Sequence, residues 1–93
     1  MTKQLHESGA IDLIEVRERF PRFYREILVP MTSAGQLSAQ QSHLSNAIAI
    51  CQRVSPVLGR CVTVYERAED VFDEVERRLS RAYTSHAENA GNG

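Results

Sequence analysis

The sequence predicts an all-α fold, a helical hairpin or three-helix arrangement with a long heptad-patterned C-terminal element. The first observation is a seam of residues, all but one apolar, that recur at alternating spacings of three and four for more than six heptads. The second is a shorter stripe with the same spacing near the N-terminus. The seam consists of Leu37, Gln40, Leu44, Ala47, Cys51, Val54, Leu58, Cys61, Tyr65, Ala68, Phe72, Val75, Leu79 and Ala82.

Length and composition indicate one small globular domain. The chain has 93 residues, of which 42% are hydrophobic and 25% charged, so disorder and a fibrous class are both unexpected. A net charge of -1 removes the simplest argument for nucleic acid or an anionic membrane as a partner.

No window reaches the roughly 18 apolar residues that a membrane span needs, and residues 1–10 contain no apolar core of a secretory signal. We therefore expect either a cytoplasmic protein or one secreted without a cleavable signal peptide.

The N-terminal part predicts a flexible tail followed by an interrupted helix. Residues 1–9 are polar and end in glycine, which is typical of a loose tail. The stripe then predicts an amphipathic helix from about residue 10 to residue 29. Pro21 disfavours a helical conformation at Phe20, so we expect a kink or two short helices that meet there. The residues of the stripe are Leu13, Val16, Phe20, Phe23 and Ile27.

The seam is divided between two further predicted helices. Residues 30–35 combine proline, glycine and small polar side chains, and they predict a loop. A second helix is expected from residues 36–38 to about Val54. Ser55 and Pro56 form a helix start signal, which predicts a third helix to about Tyr83. Residues 84–93 then resemble a second flexible tail, so the helical domain spans residues 10–83.

Charge patterning supports the third helix. Asp73 precedes Arg77 by four residues and Glu74 precedes Arg78 by four, in the favourable acid-before-base order. Such pairs each contribute a few tenths of a kcal/mol.

The junction at Pro56 leaves two arrangements open. Because the seam keeps its phase across Pro56, a single long element with a kink is favoured over a tight turn. In a continuous helix Cys51 and Cys61 would lie about 15 Å apart, too far for a disulfide bond. In a tight hairpin they would face one another. We expect no disulfide bond, and two small buried thiols within the seam.

The chain carries no motif typical of an enzyme or a metal site, so we expect no catalytic activity, cofactor or metal. Its three histidines are scattered, whereas a structural metal site needs about four ligands. The acidic residues of the third helix fall outside the seam and are expected to form a solvated face. The arginines and aromatic residues of the first helix are interpreted as core packing with a charged exterior rather than as a nucleic-acid site.

One short motif has a possible role in recognition. Tyr65 and Glu69 are four residues apart and would share one face of a helix. The segment LGRCVTVYERAEDVFDEV resembles the C-terminal helix of small proteins exported by type VII secretion systems, in particular the Trp-X-Gly superfamily and related secretion-associated proteins. Tyr65, Ala68, Glu69 and Phe72 match the positions of that export motif. The resemblance implies a secreted helical-hairpin protein in which Tyr65 and Glu69 are read by the export machinery.

The chain departs from that family at the turn. It has no tryptophan, so Ser33, Ala34 and Gly35 keep only the glycine of the Trp-X-Gly turn. The absence of this tryptophan is most compatible with a divergent member of the family, or with a companion protein of a larger exported toxin.

The expected function is a non-enzymatic helical interaction module with a helical protein partner, in a homo- or hetero-oligomer. The alternative is a cytosolic helical adaptor, such as a secretion chaperone, an antitoxin or immunity protein, or a phage-encoded inhibitor. The predicted partner-binding residues are Leu58, Tyr65, Phe72, Val75 and Leu79.

Overall fold

The structure is a computed structural model that describes residues 3–10 and 12–92, with side chains for residues 3–7 and 12–82. It is all-α, as predicted. A 3₁₀ turn (Leu5–Ala10) precedes helix α1 (Leu13–Arg19). Helix α2 covers residues 21–33 and joins an α-helical turn (Pro21–Phe23), a π-helical turn (Tyr24–Leu28) and a second α-helical segment (Val29–Ser33). Helices α3 (His43–Leu58) and α4 (Ala68–Asn92) follow.

The predicted interruption at Phe20 separates α1 from α2. Asp12 caps α1 because its side chain accepts a hydrogen bond from the Ile14 N–H at 2.9 Å. Phe20 has φ -134° and ψ 64°, which ends α1, and Pro21 then occupies the first position of α2. The free N–H groups at the start of α2 are bound from another helix. Glu76 of α4 accepts from the Phe23 N–H at 2.9 Å and from the Arg22 N–H at 3.3 Å.

The first loop lies later in the chain than predicted. Helix α2 continues through Pro30 to Ser33. The π-helical turn ends at Leu28, two residues before Pro30. Pro30 has no N–H to donate, and a widened turn accommodates such a residue. Gly35 has φ 78° and turns the chain. Helix α3 starts at His43, where the Ser42 hydroxyl accepts from the Ser45 N–H at 3.1 Å.

The break between the last two helices occurs at Gly59 rather than at Pro56. Helix α3 continues through Pro56 and ends at Gly59, which adopts the left-handed conformation with φ 67°. The structure therefore has neither the kinked long element nor a tight turn at Pro56. The Ser55 hydroxyl donates to the Cys51 carbonyl at 2.6 Å and accepts from the Val62 N–H at 3.0 Å, so it ties the end of α3 to the following connection.

The connection from Gly59 to α4 pairs with the N-terminal segment. The Leu5 N–H donates to the Glu66 carbonyl at 3.0 Å, and the Ala68 N–H donates to the Lys3 carbonyl at 2.9 Å. Leu5 is fully buried, and its turn packs on α3. The expected flexible tail over residues 1–9 is therefore corrected for residues 3–7, while residues 1–2 lie outside the described residues. At the other end α4 runs to Asn92, beyond the predicted end at Tyr83, and Gly93 lies outside the described residues.

The core forms where α2, α3 and α4 meet. Phe72 stacks on Phe23 with ring centroids 4.6 Å apart and meets the edge of Phe20 at 5.9 Å. No helix within the described ranges has the length and apolar character needed to cross a bilayer. The buried apolar residues are Leu5, Val16, Phe20, Phe23, Ile27, Leu28, Met31, Ala47, Ile50, Cys51, Val54, Leu58, Val62, Ala68, Val71, Phe72 and Val75.

The two cysteines have different environments. Cys51 is a free buried thiol, and burial raises its pKa. Cys61 is free but exposed, which corrects the expectation that both thiols are buried. The difference arises because Cys61 lies in the connection after α3 rather than on a helix.

Candidate functional site

The predicted export motif does not lie on one helix. Tyr65 is in the turn that precedes α4, and Glu69 is the second residue of α4. The Tyr65 side chain is 74% exposed, which corrects its assignment to the buried seam. Its ring meets the edge of the His6 ring at 6.0 Å, and its backbone carbonyl accepts from the Gln4 amide at 3.0 Å. Tyr65 is therefore an exposed ring in the turn before α4, in contact with the N-terminal segment, rather than part of a helical stripe.

Glu69 belongs to an ion pair that joins α4 to α1. Its carboxylate accepts a hydrogen bond from Arg19, which also bonds to Glu15 at 3.1 Å. The hydrogen bond and charge of Arg19 hold the pKa of Glu69 below its ordinary value. The side chain is half exposed, so the pair is screened by solvent. The structure brings Glu69 next to Arg19 but does not place it on a common face with Tyr65.

Most of the predicted partner-binding residues pack inside the chain. Leu58, Phe72 and Val75 are buried, and Leu79 is half-buried against the same core. This placement corrects the expectation that they form a surface for another helix. The buried part of the heptad seam packs into the core that α3 and α4 form with α2. Of the predicted partner-binding set, only Tyr65 is freely exposed.

An apolar groove of about 580 Å³ lies beside this core. One wall is made by α1 and α2, and the other by α3 and the loop of residues 34–42. Leu13 is 60% exposed and Val29 is 41% exposed at its rim, while Phe72 reaches its floor. The lining residues are Leu13, Val16, Tyr24, Leu28, Val29, Thr32, Ser33, Leu37, Ser38, Ala39, Asn46, Ile50 and Phe72.

Specific contacts hold the loop wall of the groove in place. The Asn46 amide of α3 donates to the Ser38 carbonyl at 3.0 Å, and its oxygen accepts from the Ser38 N–H at 3.3 Å. The same oxygen accepts from the Gln41 side chain at 2.9 Å. Asn46 thus fixes the loop against α3, which keeps Leu37 and Ser38 at the groove.

The opposite wall contains the π-helical turn of α2. Tyr24 and Leu28, the first and last residues of this turn, both line the groove. A π-helical turn is wider than an α-helical one, and such turns occur frequently at functional sites.

The groove suits an apolar ligand rather than a reaction. None of its lining residues is charged, and apolar sites of this size with a few polar groups are typical binding sites. Within the described residues, no group of three or more histidine, cysteine, aspartate or glutamate side chains is placed to hold a metal ion. The arrangement can bury the apolar side chains of a ligand and offer hydroxyl groups at its edge.

Sequence patterns alone did not reveal this groove. Leu13 and Val16 were recognised as one apolar stripe, but Leu37 and Ile50 join them only through the loop held by Asn46. The available signal was the excess of apolar residues in a small chain, several of which remain exposed: Leu13, Ile14, Val29, Leu44, Ile48 and Tyr65.

Comparison with known proteins adds no relative from which a role for the groove could be transferred. No family model, curated protein or solved structure matches this chain.

Proposed function

We propose that this protein is a non-enzymatic interaction module that binds an amphipathic helix of a partner protein in the groove between α1, α2 and α3. The observation that carries the proposal is the uncharged, largely apolar lining together with the exposed rim residues Leu13 and Val29. Helices commonly bind in this way, with an apolar face laid into a hydrophobic groove.

The shape and stability of the groove favour a helix as occupant. The groove is lined by helices on both sides and is open to solvent at the exposed residues Leu13 and Val29. Its loop wall is held by Asn46 before any ligand arrives. A pre-formed wall reduces the ordering cost of binding.

A labelled neutral peptide tests the proposal. The peptide is an amphipathic helix of leucine, alanine and glutamine, and fluorescence anisotropy measures its dissociation constant. We expect binding to the wild type and a loss of at least about tenfold in affinity with Leu13→Arg or Val29→Arg, because either change places a charge on the apolar rim. Both side chains are exposed, so the fold should persist.

Exposed apolar residues outside the groove provide the matched control. Leu44 is 50% exposed and Ile48 is 43% exposed, and neither lines the groove. Leu44→Arg and Ile48→Arg should leave the affinity unchanged. Loss of binding in these variants but not in the rim variants would assign docking to the outer face of α3 and contradict the proposal.

Export through a type VII secretion system is a second candidate, and it would give the module a location outside the cell. The observation in its favour is the exposure of Tyr65, which leaves the ring accessible to a receptor. Two observations count against a simple transfer of the motif: Tyr65 is not helical, and Glu69 is paired with Arg19. The alternative function, a cytosolic adaptor, requires only that the groove bind a partner.

A secretion assay in the native host separates these locations. If the protein is exported through this motif, Tyr65→Ala and Glu69→Ala should abolish its release while the intracellular protein stays folded. Asp70→Ala is the control, because Asp70 is adjacent and exposed but outside the motif. Release of both motif variants at the wild-type level, or no release of the wild type, would exclude this candidate and leave the cytosolic adaptor.

A further inference from the structure

One part of the groove wall is poor in acidic residues. Between Glu26 and Glu66 the sequence contains no aspartate or glutamate. This interval includes the second half of α2, the loop of residues 34–42 and all of α3. Most of the groove lining comes from it. In this interval Arg53 and Arg60 are the only residues with a formal charge at pH 7.

Three exposed arginines lie on the same helix faces as residues that line the groove. Arg17 follows Leu13 by four residues on α1, and Arg25 precedes Val29 by four on α2. Arg53 follows Ile50 by three residues on α3. Residues three or four apart share one helix face. Each wall of the groove thus has at least one arginine one turn beyond its apolar lining.

These arginines are not neutralised within the described part of the chain. The described carboxylates that form ion pairs do so with other basic residues, and Arg17, Arg25 and Arg53 take part in none of these pairs. Glu26 is the nearest carboxylate along α2, and it is also exposed. Glu18 is likewise exposed next to Arg17 on α1. Arg53 has no carboxylate on its own helix, so two carboxylates against three arginines leave the rim with a small positive balance.

We propose that the partner helix is acidic, with aspartate or glutamate on both flanks of its apolar face. This inference rests on the proposed function and adds the chemistry of the partner to it. The apolar lining receives the large side chains, while Arg17 and Arg25 on one side and Arg53 on the other face the acidic flanks. Complementary charges of this kind increase the association rate and fix the orientation of the partner.

Three labelled peptides with the same apolar face test the charge preference. One has neutral flanks, one has glutamate flanks and one has lysine flanks. Exposed charge pairs each contribute a factor of about two to three in affinity, so we expect the acidic peptide to bind about tenfold more tightly than the neutral one and the basic peptide to bind more weakly. The advantage of the acidic peptide should decrease as salt is raised, because exposed charges are screened.

Charge reversal on the protein assigns the effect to the rim. Arg25→Glu combined with Arg53→Glu should invert the order of the acidic and basic peptides and leave the neutral peptide unchanged. Arg78→Glu combined with Arg81→Glu is the matched control, since both residues are exposed on α4 and the net charge changes equally. The control should keep the wild-type order.

The outcomes distinguish this inference from the proposed function. If the neutral peptide binds and acidic flanks bring no advantage, the groove is a docking site and the acidic partner is wrong. If the control variant inverts the order as well, net charge rather than the rim is responsible, which also overturns the inference. Displacement of the acidic peptide by a single-stranded oligonucleotide at low salt would favour a nucleic acid as the ligand instead. If no peptide binds, the proposed function itself fails.

Discussion

Glu76 is the residue whose structural role was least visible in the sequence. It belongs to a run of acidic residues on α4 that was expected to form a solvated face. In the structure both of its carboxylate oxygens accept N–H groups at the start of α2. It therefore acts as a helix cap supplied by another helix, and it holds Phe23 where that ring can stack on Phe72. Charge-assisted hydrogen bonds to such N–H groups are stronger than neutral ones.

Loss of this cap should destabilise the protein. Glu76→Ala is expected to lower the free energy of unfolding by about 1 kcal/mol, within the range for removal of a capping side chain. Glu76→Gln should cost less, because its amide oxygen can still accept one of the two hydrogen bonds. Urea denaturation measures both. Asp73→Asn is the control on the same helix, and loss of its pair with Arg77 at 3.0 Å should cost no more than about 0.5 kcal/mol. Equal effects of Glu76→Ala and the control would contradict the capping role.

Arg60 makes the stability of the connection before α4 dependent on pH. It bonds to Glu74 at 2.7 Å and to Glu66 at 2.9 Å. Its hydrogen bond to Glu74 lowers the pKa of that carboxyl below the ordinary 4.5. The unfolded chain, with the higher pKa, binds the proton first as the pH falls. The contribution of the pair is therefore complete above the unfolded pKa and is lost as the pH drops through the folded pKa.

This linkage predicts a difference between two acid titrations of stability. The free energy of unfolding of the wild type should decrease as the pH falls from about 5, and Arg60→Gln should reduce that decrease. Arg53→Gln is the control, because Arg53 is exposed and forms no ion pair within the described residues. Chemical denaturation at several pH values checks the slopes. Identical slopes for the wild type and Arg60→Gln would refute the linkage.

At the level of elements, the break between α3 and α4 depends on Gly59 and not on Pro56. Gly59 has φ 67°, which a residue with a Cβ adopts only under strain. Pro56 lies close to the end of α3, and the nearby Ser55 hydroxyl satisfies both the Cys51 carbonyl and the Val62 N–H. These two bonds tie the last turn of α3 to the connection next to the proline.

Substitutions at the two positions should therefore differ. Gly59→Ala is expected to lower the free energy of unfolding by about 1–2 kcal/mol, although nothing lies within 4 Å of the added Cβ. Gly59→Asn should cost less, since asparagine tolerates the left-handed conformation better. Pro56→Ala should change stability much less than Gly59→Ala. Thermal and urea unfolding provide the measurement, and a larger loss with Pro56→Ala would restore Pro56 as the breaking point.

The elements also explain how much the sequence could predict. The helical class, the interruption at Phe20 and the Asp73–Arg77 pair follow from local spacing and are confirmed. The predicted helix ends were wrong where contacts between residues far apart in the sequence determine them. Leu5 pairs with the connection before α4, and Glu74 forms its hydrogen-bonded pair with Arg60 rather than with Arg78. The groove depends in the same way on the long-range contacts of Asn46, which no local pattern contains.

At the level of the whole molecule, the seam can be interpreted in two ways. A chain of this size has little core of its own, so a long apolar seam was interpreted as a surface for another helix. The structure instead packs the buried part of the seam within the chain, because the break at Gly59 returns α4 alongside α2 and α3. Leu58, Phe72 and Val75 are consequently buried without a partner. The surface available for recognition is the groove rim. Most of the residues that line the groove do not belong to the seam.

Concentration dependence distinguishes these two roles of the seam. If Leu58 and Phe72 form an internal core, the urea midpoint of the free chain should not change between about 1 and 100 µM protein, whereas an oligomer held by the seam becomes more stable as its concentration rises. Leu58→Ala should then lower the free energy of unfolding by about 2–5 kcal/mol, the usual cost for a buried leucine. This loss should be the same at each protein concentration. The outer α3 variant Leu44→Ala should cost much less, because its side chain is half exposed. A wild-type midpoint that rises with protein concentration would show that the seam joins separate chains, and the intramolecular packing of α2, α3 and α4 would then be wrong.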